Sequence, residues 1–169
     1  MREQTLEAAP VSVSVVMPCY NEAGIIEKVV KDCYAQIIGN IRDSEFVIID
    51  DCSNDATPVI LKRLEGEFPK LKILKTPKNS GHGRALRLGY ESAVKECVFQ
   101  VDSDDQFELR EFWQLHSRIK NCDLVLGSRR QRNDPLHRLL LSRIISLANF
   151  SIFGVFIKDA NCPFRLIRR

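Results

Sequence analysis

Three short runs in this 169-residue chain bring acids and amides together in patterns that can do chemistry. They are Pro18-Cys19-Tyr20-Asn21-Glu22, Asp50-Asp51-Cys52-Ser53-Asn54-Asp55 and Asp102-Ser103-Asp104-Asp105-Gln106, and each closes an apolar stretch. Asp102, Asp104 and Gln106 offer oxygen at alternate positions. That donor set suits a hard divalent cation, Mg2+ or Mn2+, of the kind that shares its coordination shell with substrate phosphates. Like charges crowded after buried strands are costly unless a cation or a donor-rich ligand compensates them. Asn54 and Asp55 read more simply as turn residues, with Asp55 or Thr57 placed to cap a helix entered at Pro58. A fourth run, Asn79-Ser80-Gly81-His82-Gly83-Arg84-Ala85, precedes a helix; its glycines allow close backbone approach to a ligand, and a helix amino terminus attracts anions. It matches neither the P-loop pattern nor G-x-G-x-x-G, because Leu86 stands where the last glycine is needed, so a P-loop NTPase and an ordinary dinucleotide-binding domain are both disfavoured. His82 reads either as a base or nucleotide contact, or as an incidental loop histidine.

The elements that must position these runs alternate. Val11–Met17, Phe46–Ile49, Leu71–Leu74, Val98–Val101 and Leu124–Leu126 are apolar runs of strand length. Between them, Gly24–Ile37, Pro58–Leu64, Gly83–Val94 and Leu109–Ile119 carry apolar residues at helical spacing. The β-α-β rhythm predicts an α/β fold with a doubly wound, mostly parallel sheet and helices on both faces. In such sheets ligands gather outside the carboxyl ends of the strands, which is where the three polar runs fall.

Composition is that of an ordinary globular domain, 44% hydrophobic and 28% charged, which excludes disorder as the main description. The net charge of +3 hides a division. Residues 107–169 hold 12 Lys and Arg against 5 Asp and Glu, while residues 1–106 hold 13 against 17. An acidic front and a basic back suggest an anionic partner at the back. Nucleic acid is the weakest choice, because no basic-aromatic interleaving accompanies Arg129–Arg143 and the site edge is acidic. The six cysteines form no C-x-x-C pair, so a zinc site or redox dithiol is not indicated, and a reducing cytoplasmic setting is expected. Residues 1–10 read as a tail without a secretory signal. Leu139–Ile157 is an apolar stretch with Arg143 as its one charge. It reads as an amphipathic helix that packs on the body or lies on a membrane surface, with a true membrane span the least favoured reading, since centring Arg143 in a bilayer would cost about 2.5–3.5 kcal/mol.

Together, Val16–Glu22, Ile49–Asp55, Asn79–Gly83 and Val101–Asp104 resemble, in order and separation, the family 2 glycosyltransferases of GT-A fold. Gly127-Ser128-Arg129 and Lys158–Arg165 are similar to segments of the polyprenyl-phosphate branch of that family, typified by dolichyl-phosphate mannose synthase. The resemblance implies that Pro18, Tyr20, Glu22 and Asp50 border the base and ribose of a nucleotide-sugar, and that Asp51 and Asp102 lie near the nucleotide and sugar. It implies further that Asp102, Asp104 and Gln106 hold the metal bridging the diphosphate, while Arg129 and Arg143 meet the phosphate of a lipid acceptor. Guanidinium groups suit phosphate oxygens, and the basic back half supplies them.

The chain departs from the family at Cys162-Pro163-Phe164, where a small residue, Gly and an aromatic are commoner. It also stops at Arg169, where relatives usually continue, and so reads as a catalytic core that is either truncated or unusually compact. Residues 11–130 are taken as the nucleotide-sugar- and metal-binding core, and 131–169 as a basic amphipathic acceptor-side segment of the same domain. The expected activity is inverting, metal-dependent transfer of a hexose from a GDP- or UDP-sugar to a polyprenyl phosphate at the cytoplasmic face of a membrane. An anionic acceptor needs no strong base. A saccharide acceptor would need one, with Asp134 or Asp159 as candidates, although Asp159 also reads as a loop-ordering residue. The rivals are a family 2 enzyme acting on saccharides and a non-catalytic nucleotide-sugar-binding module.

Overall fold

The computed structural model describes residues 11–127, 151–152, 154, 159 and 162–169. Five strands follow the predicted order: β1 (Val13–Cys19), β2 (Ser44–Asp50), β3 (Leu71–Lys75), β4 (Cys97–Gln100) and β5 (Leu124–Leu126). Four helices separate them: α1 (Ile26–Gln36), α2 (Thr57–Glu67), α3 (His82–Ser92) and α4 (Phe112–Arg118). A sixth strand, β6 (Arg165–Arg168), was not expected. The sheet order is β3-β2-β1-β4-β6-β5, with β1 to β4 parallel and β6 antiparallel to both of its neighbours. The sheet thus draws one strand from the carboxyl-terminal segment.

β1 and β2 are buried along their whole lengths, as a central parallel strand must be when helices cover both faces. On one face, Val13, Val15, Met17, Phe46, Ile48 and Phe99 pack with Ile26, Val30, Leu61 and Phe112 of α1, α2 and α4. On the other, Val16, Val47, Ile49 and Val98 meet Ala85, Leu86, Leu88 and Tyr90 of α3. Gly89 lets α3 lie close to the sheet: a Cβ there would stand 2.4 Å from Val16 Cγ1 and 2.6 Å from Ile49 Cδ1.

β1 runs through Pro18 rather than ending before it. Successive strand residues point their backbone groups to opposite neighbours. The Cys19 carbonyl accepts the Asp51 N–H on the β2 side, so the nitrogen of residue 18 faces β4. The β1–β4 ladder ends at Val16↔Gln100, and the N–H that proline lacks therefore has no place in it.

At the amino end of the sheet, the buried carboxylate of Glu45 accepts hydrogen bonds from Ser14 Oγ (2.6 Å), Lys72 Nζ (2.6 Å) and the Val94 N–H (2.8 Å). Burial alone would raise its pKa; these donors hold it below the ordinary carboxylate value. This cluster fastens the loop after α3 to β1 and β2, leaving the opposite, carboxyl edge for function.

Candidate active site

The strand order reverses between β1 and β4, since the chain winds outward from β1 through β2 and β3 and then returns to pair β4 on the other side. A cleft at such a switch point is the expected ligand site in an open α/β sheet. One of about 320 Å³ opens there, between the loops that follow β1, β2 and β4 and the turn that enters α3. Of the residues singled out from sequence, Pro18, Tyr20, Glu22, Asp51, Asp102, Asp104 and His82 line it. Asp50 and Gln106 do not. Arg129, Arg143 and Asp134 lie outside the described residues, as does most of Leu139–Ile157.

The loops after β1 and β2 are sewn together. Asn21 and Cys52 both adopt left-handed backbone, with φ of 56° and 63°. The Asn21 N–H donates to Ser53 Oγ (2.9 Å), and the Asn54 N–H donates in return to Asn21 Oδ1 (2.9 Å). The Glu22 N–H donates to Thr57 Oγ1 (2.9 Å), and the Ala23 N–H to Asp55 Oδ2 (3.1 Å). Asp55 also accepts the Thr57 N–H in the first turn of α2 (2.9 Å), a helix whose N-cap, Ala56, has no side chain able to cap it. Ser53, Asn54 and Asp55 therefore build the loops, which is the turn chemistry their types favour.

The two neighbouring acids after β2 have different surroundings. Asp50 is buried beneath its own turn, where it accepts the Ser53 N–H at 2.9 Å and lies 3.9 Å from Lys75 Nζ. Asp51 reaches across to the turn before α3. Its Oδ1 accepts Thr76 Oγ1 (2.7 Å), Ser80 Oγ (2.8 Å) and the Ser80 N–H (3.0 Å), and its Oδ2 accepts the Gly81 N–H (2.7 Å). Burial pushes this carboxyl up, but the donors from Ser80, Thr76 and Gly81 outweigh it and hold the pKa below the ordinary value. Gly81 sits at φ 86°, backbone that favours glycine, and so completes a turn that presents His82 to the cleft. Thr76 carried no sequence signal, because its role depends on β3 ending beside β2.

The loop after β4 carries the acids that face the cleft. Asp102 Oδ1 lies 4.0 Å from His82 Nε2. Asp104 Oδ1 accepts the Gln106 N–H at 3.2 Å. Across from them stands Glu22, whose pKa is raised first by burial and then by the negative charges of Asp104 and Asp55. Among the described residues, no three His, Cys, Asp or Glu side chains converge closely enough to enclose a metal ion as they stand. The donor set nonetheless suits a hard cation, because Asp102 and Asp104 are oxygen donors on one cleft and Glu22 across from them, besides being buried, lies in the negative field of Asp104, which a divalent ion would offset. Cys19 also lines the cleft, and its thiol is pushed up to about 12 by burial and by Asp50 and Glu22, so it stays protonated and is no nucleophile.

β6 brings Arg165 opposite Gln100, the residue two before Asp102, and Tyr90 of α3 donates its hydroxyl hydrogen bond to Gln100 Oε1. The Tyr90 pKa is raised by burial, with Arg165 acting to lower it and Asp102 to raise it. Asp159 is buried, and its carbonyl accepts the Cys162 N–H at 3.2 Å.

A mostly parallel sheet with helices on both faces and a switch-point cleft edged with acids from three strand ends is a doubly wound α/β architecture, and comparison with known proteins narrows the class. Residues 14–168 match the family model described as glycosyl transferase family 2, and the chain belongs to that family. It is similar to dolichyl-phosphate beta-glucosyltransferase ALG5A of Trichomonas vaginalis, with 29% identity over 96% of this chain and 55% of that protein. It is also similar to undecaprenyl-phosphate 4-deoxy-4-formamido-L-arabinose transferase of Aeromonas hydrophila, with 30% identity over 93% of this chain and 49% of the relative. Among solved structures, mannosyltransferase PcManGT of Pyrobaculum calidifontis, in complex with GDP-Man and Mn2+, superposes with a TM-score of 0.67. That alignment has 23% identity and covers 96% of this chain and 46% of that one; it bears out the expected GT-A architecture. The chain spans about half the length of the curated relatives it matches.

Proposed function

We propose that this chain is the catalytic core of a glycosyltransferase that moves a hexose from a GDP- or UDP-sugar to a polyprenyl phosphate, with inversion, at the cytoplasmic face of a membrane. The observation that carries the proposal is the acidic cleft, in which Asp102 and Asp104 face Glu22 and the Glu22 pKa is raised. A nucleotide-sugar arriving with a divalent cation would match that charge; a nucleotide alone would not. The names of the two relatives, which act on dolichyl and undecaprenyl phosphates, support the lipid acceptor. The GDP-Man and Mn2+ bound by the Pyrobaculum enzyme support the donor and the metal.

In this proposal Tyr20, exposed at the cleft mouth, and Pro18 flank the base, with Glu22 beside the ribose. Asp50 is assigned a supporting part beneath the turn that carries Asp51. Asp51 holds the turn that presents His82. Asp102 and Asp104, which line the cleft, would hold Mg2+ or Mn2+; Gln106, which does not line it, is assigned to the same shell by its sequence position. When bound, the cation offsets charge on the departing nucleoside diphosphate. Arg129 and Arg143 are assigned to the acceptor phosphate by their sequence positions. Because that phosphate is already anionic near neutral pH, no side chain has to remove a proton from it. No helix among the described residues is long and apolar enough to cross a membrane.

Calorimetry with UDP and with GDP, each with and without Mn2+, tests the donor side. Mn2+-dependent binding that Asp104→Ala abolishes is expected; binding that ignores the metal refutes the cation assignment. Incubation with labelled nucleotide-sugar and polyprenyl phosphate tests the acceptor. Label recovered only in saccharides would refute the lipid acceptor.

A further inference from the structure

The acidic loop after β4 is tied down from outside the cleft. Asp105 adopts left-handed backbone at φ 57°, uncommon for a residue other than glycine, and such a conformation persists when its surroundings hold it. Lys28, on α1 and 77 positions earlier in sequence, donates from Nζ to Asp105 Oδ2 at 2.6 Å. The same ammonium lies 3.1 Å from Asp32 Oδ2, one turn further along α1. Lys28 does not line the cleft, but Asp105 is flanked by Asp104, which does, and by Gln106, whose N–H donates back to Asp104 Oδ1.

The same amino-terminal turn of α1 is fastened to the backbone of the opposing acid. The Glu22 carbonyl accepts the Ile25 and Ile26 N–H groups at 3.0 and 2.9 Å. The first turn of α1 therefore meets both sides of the acidic cleft: Glu22 through the Ile25 and Ile26 N–H groups, and the Asp102–Gln106 loop through Lys28. Without the second attachment, repulsion among Glu22, Asp55 and Asp104 would favour a loop displaced away from Glu22.

We propose that Lys28 is a positioning residue for the donor site, holding Asp105 so that Asp104 stays opposite Glu22 in the arrangement that receives a cation–nucleotide pair. The proposal rests on the donor reading above, and it concerns a residue that touches neither metal nor nucleotide. The pair is exposed, so its effect is local: global stability changes little, while the loop's equilibrium shifts by up to about fivefold.

The test compares Lys28→Met, Lys28→Arg, Asp105→Asn and the double variant Lys28→Met/Asp105→Asn with the unaltered chain. Three quantities are measured: Mn2+-dependent UDP or GDP affinity, amide hydrogen exchange over residues 102–106, and the melting temperature. Asparagine keeps the tolerance for left-handed backbone while removing the charge. Lys28→Met and Asp105→Asn are each expected to weaken Mn2+-dependent binding about three- to fivefold and to speed loop exchange by a similar factor. The double variant should be no worse than either single, Lys28→Arg should restore wild-type behaviour, and melting should not move. Unchanged exchange in Lys28→Met, losses that add in the double variant, or equal losses with and without metal would each overturn the proposal. If the unaltered chain shows no Mn2+-dependent nucleotide binding, the donor reading fails, and loop exchange in Lys28→Met alone decides whether the latch exists.

Discussion

Asp51→Asn isolates the contact on which the α3 side of the cleft depends. Asp51 is 3% exposed and accepts from Thr76, Ser80 and Gly81. The amide oxygen of asparagine can serve the three donors now at Oδ1, which leaves its amino group facing the Gly81 N–H, donor against donor. A hydrogen bond to a charged group contributes about 1.5–3 kcal/mol, and the remaining contacts weaken once their acceptor is neutral. The expected loss is therefore about 2–3 kcal/mol at pH 7, read from urea unfolding midpoints at unchanged slope.

The pH dependence has a definite sign. Asp51 titrates below the unfolded value of about 3.9 when folded, so its contribution is complete above about pH 5 and is lost as pH falls through 4 towards the folded-state pKa. Asparagine does not titrate. The gap between the two proteins should thus narrow in acid. A loss below about 0.5 kcal/mol at pH 7, or a gap that stays constant down to pH 3, would refute the account of Asp51 as the anchor of this turn.

Gly89→Ala should destabilise the fold by about 1–3 kcal/mol, because the added methyl overlaps the buried side chains of Val16 and Ile49; a melting temperature equal to wild type would contradict that packing. In native protein titrated with a thiol reagent near pH 8, exposed Cys122 should react first. Cys19, Cys33 and Cys97 should react only on unfolding, since burial raises all three thiols; rapid modification of Cys19 would show that the cleft floor opens.

Much of the site was legible because its residues end strands that announce themselves. The Val-rich run before Pro18, Phe46–Ile49 before Asp50 and Val98–Val101 before Asp102 each locate one loop at the carboxyl edge, and the parallel rhythm puts those loops together. What local pattern does not encode is partnership across the chain. Asp50 and Asp51 are adjacent and alike in type, yet one lies under its own turn and the other binds a turn some 29 residues later; only the β2–β3 register decides which. Likewise Arg165-Leu166-Ile167-Arg168 is too short and too charged to read as a strand, and becomes one because β4 and β5 leave a gap of one strand's width. Pro18 suggested a strand end, whereas the short β4 ladder lets β1 continue through it.

β6 also fixes an order of events during synthesis. Among the described residues, β5 pairs with β6 alone, and β4 has β6 as its outer neighbour. A ribosome that has released residues 11–127 has thus delivered five strands, of which the fifth has nowhere to bind and the fourth still shows an open edge. Four residues close both, and they are separated from β5 by 38 intervening positions. Such late, non-local pairing slows completion of the sheet and leaves the unfinished chain exposed to wrong partners in the interval. Pulse-labelled nascent chains ending before Phe164 should therefore remain protease-sensitive at Leu124–Leu126, and gain protection together with Cys97–Gln100 once Arg168 has emerged.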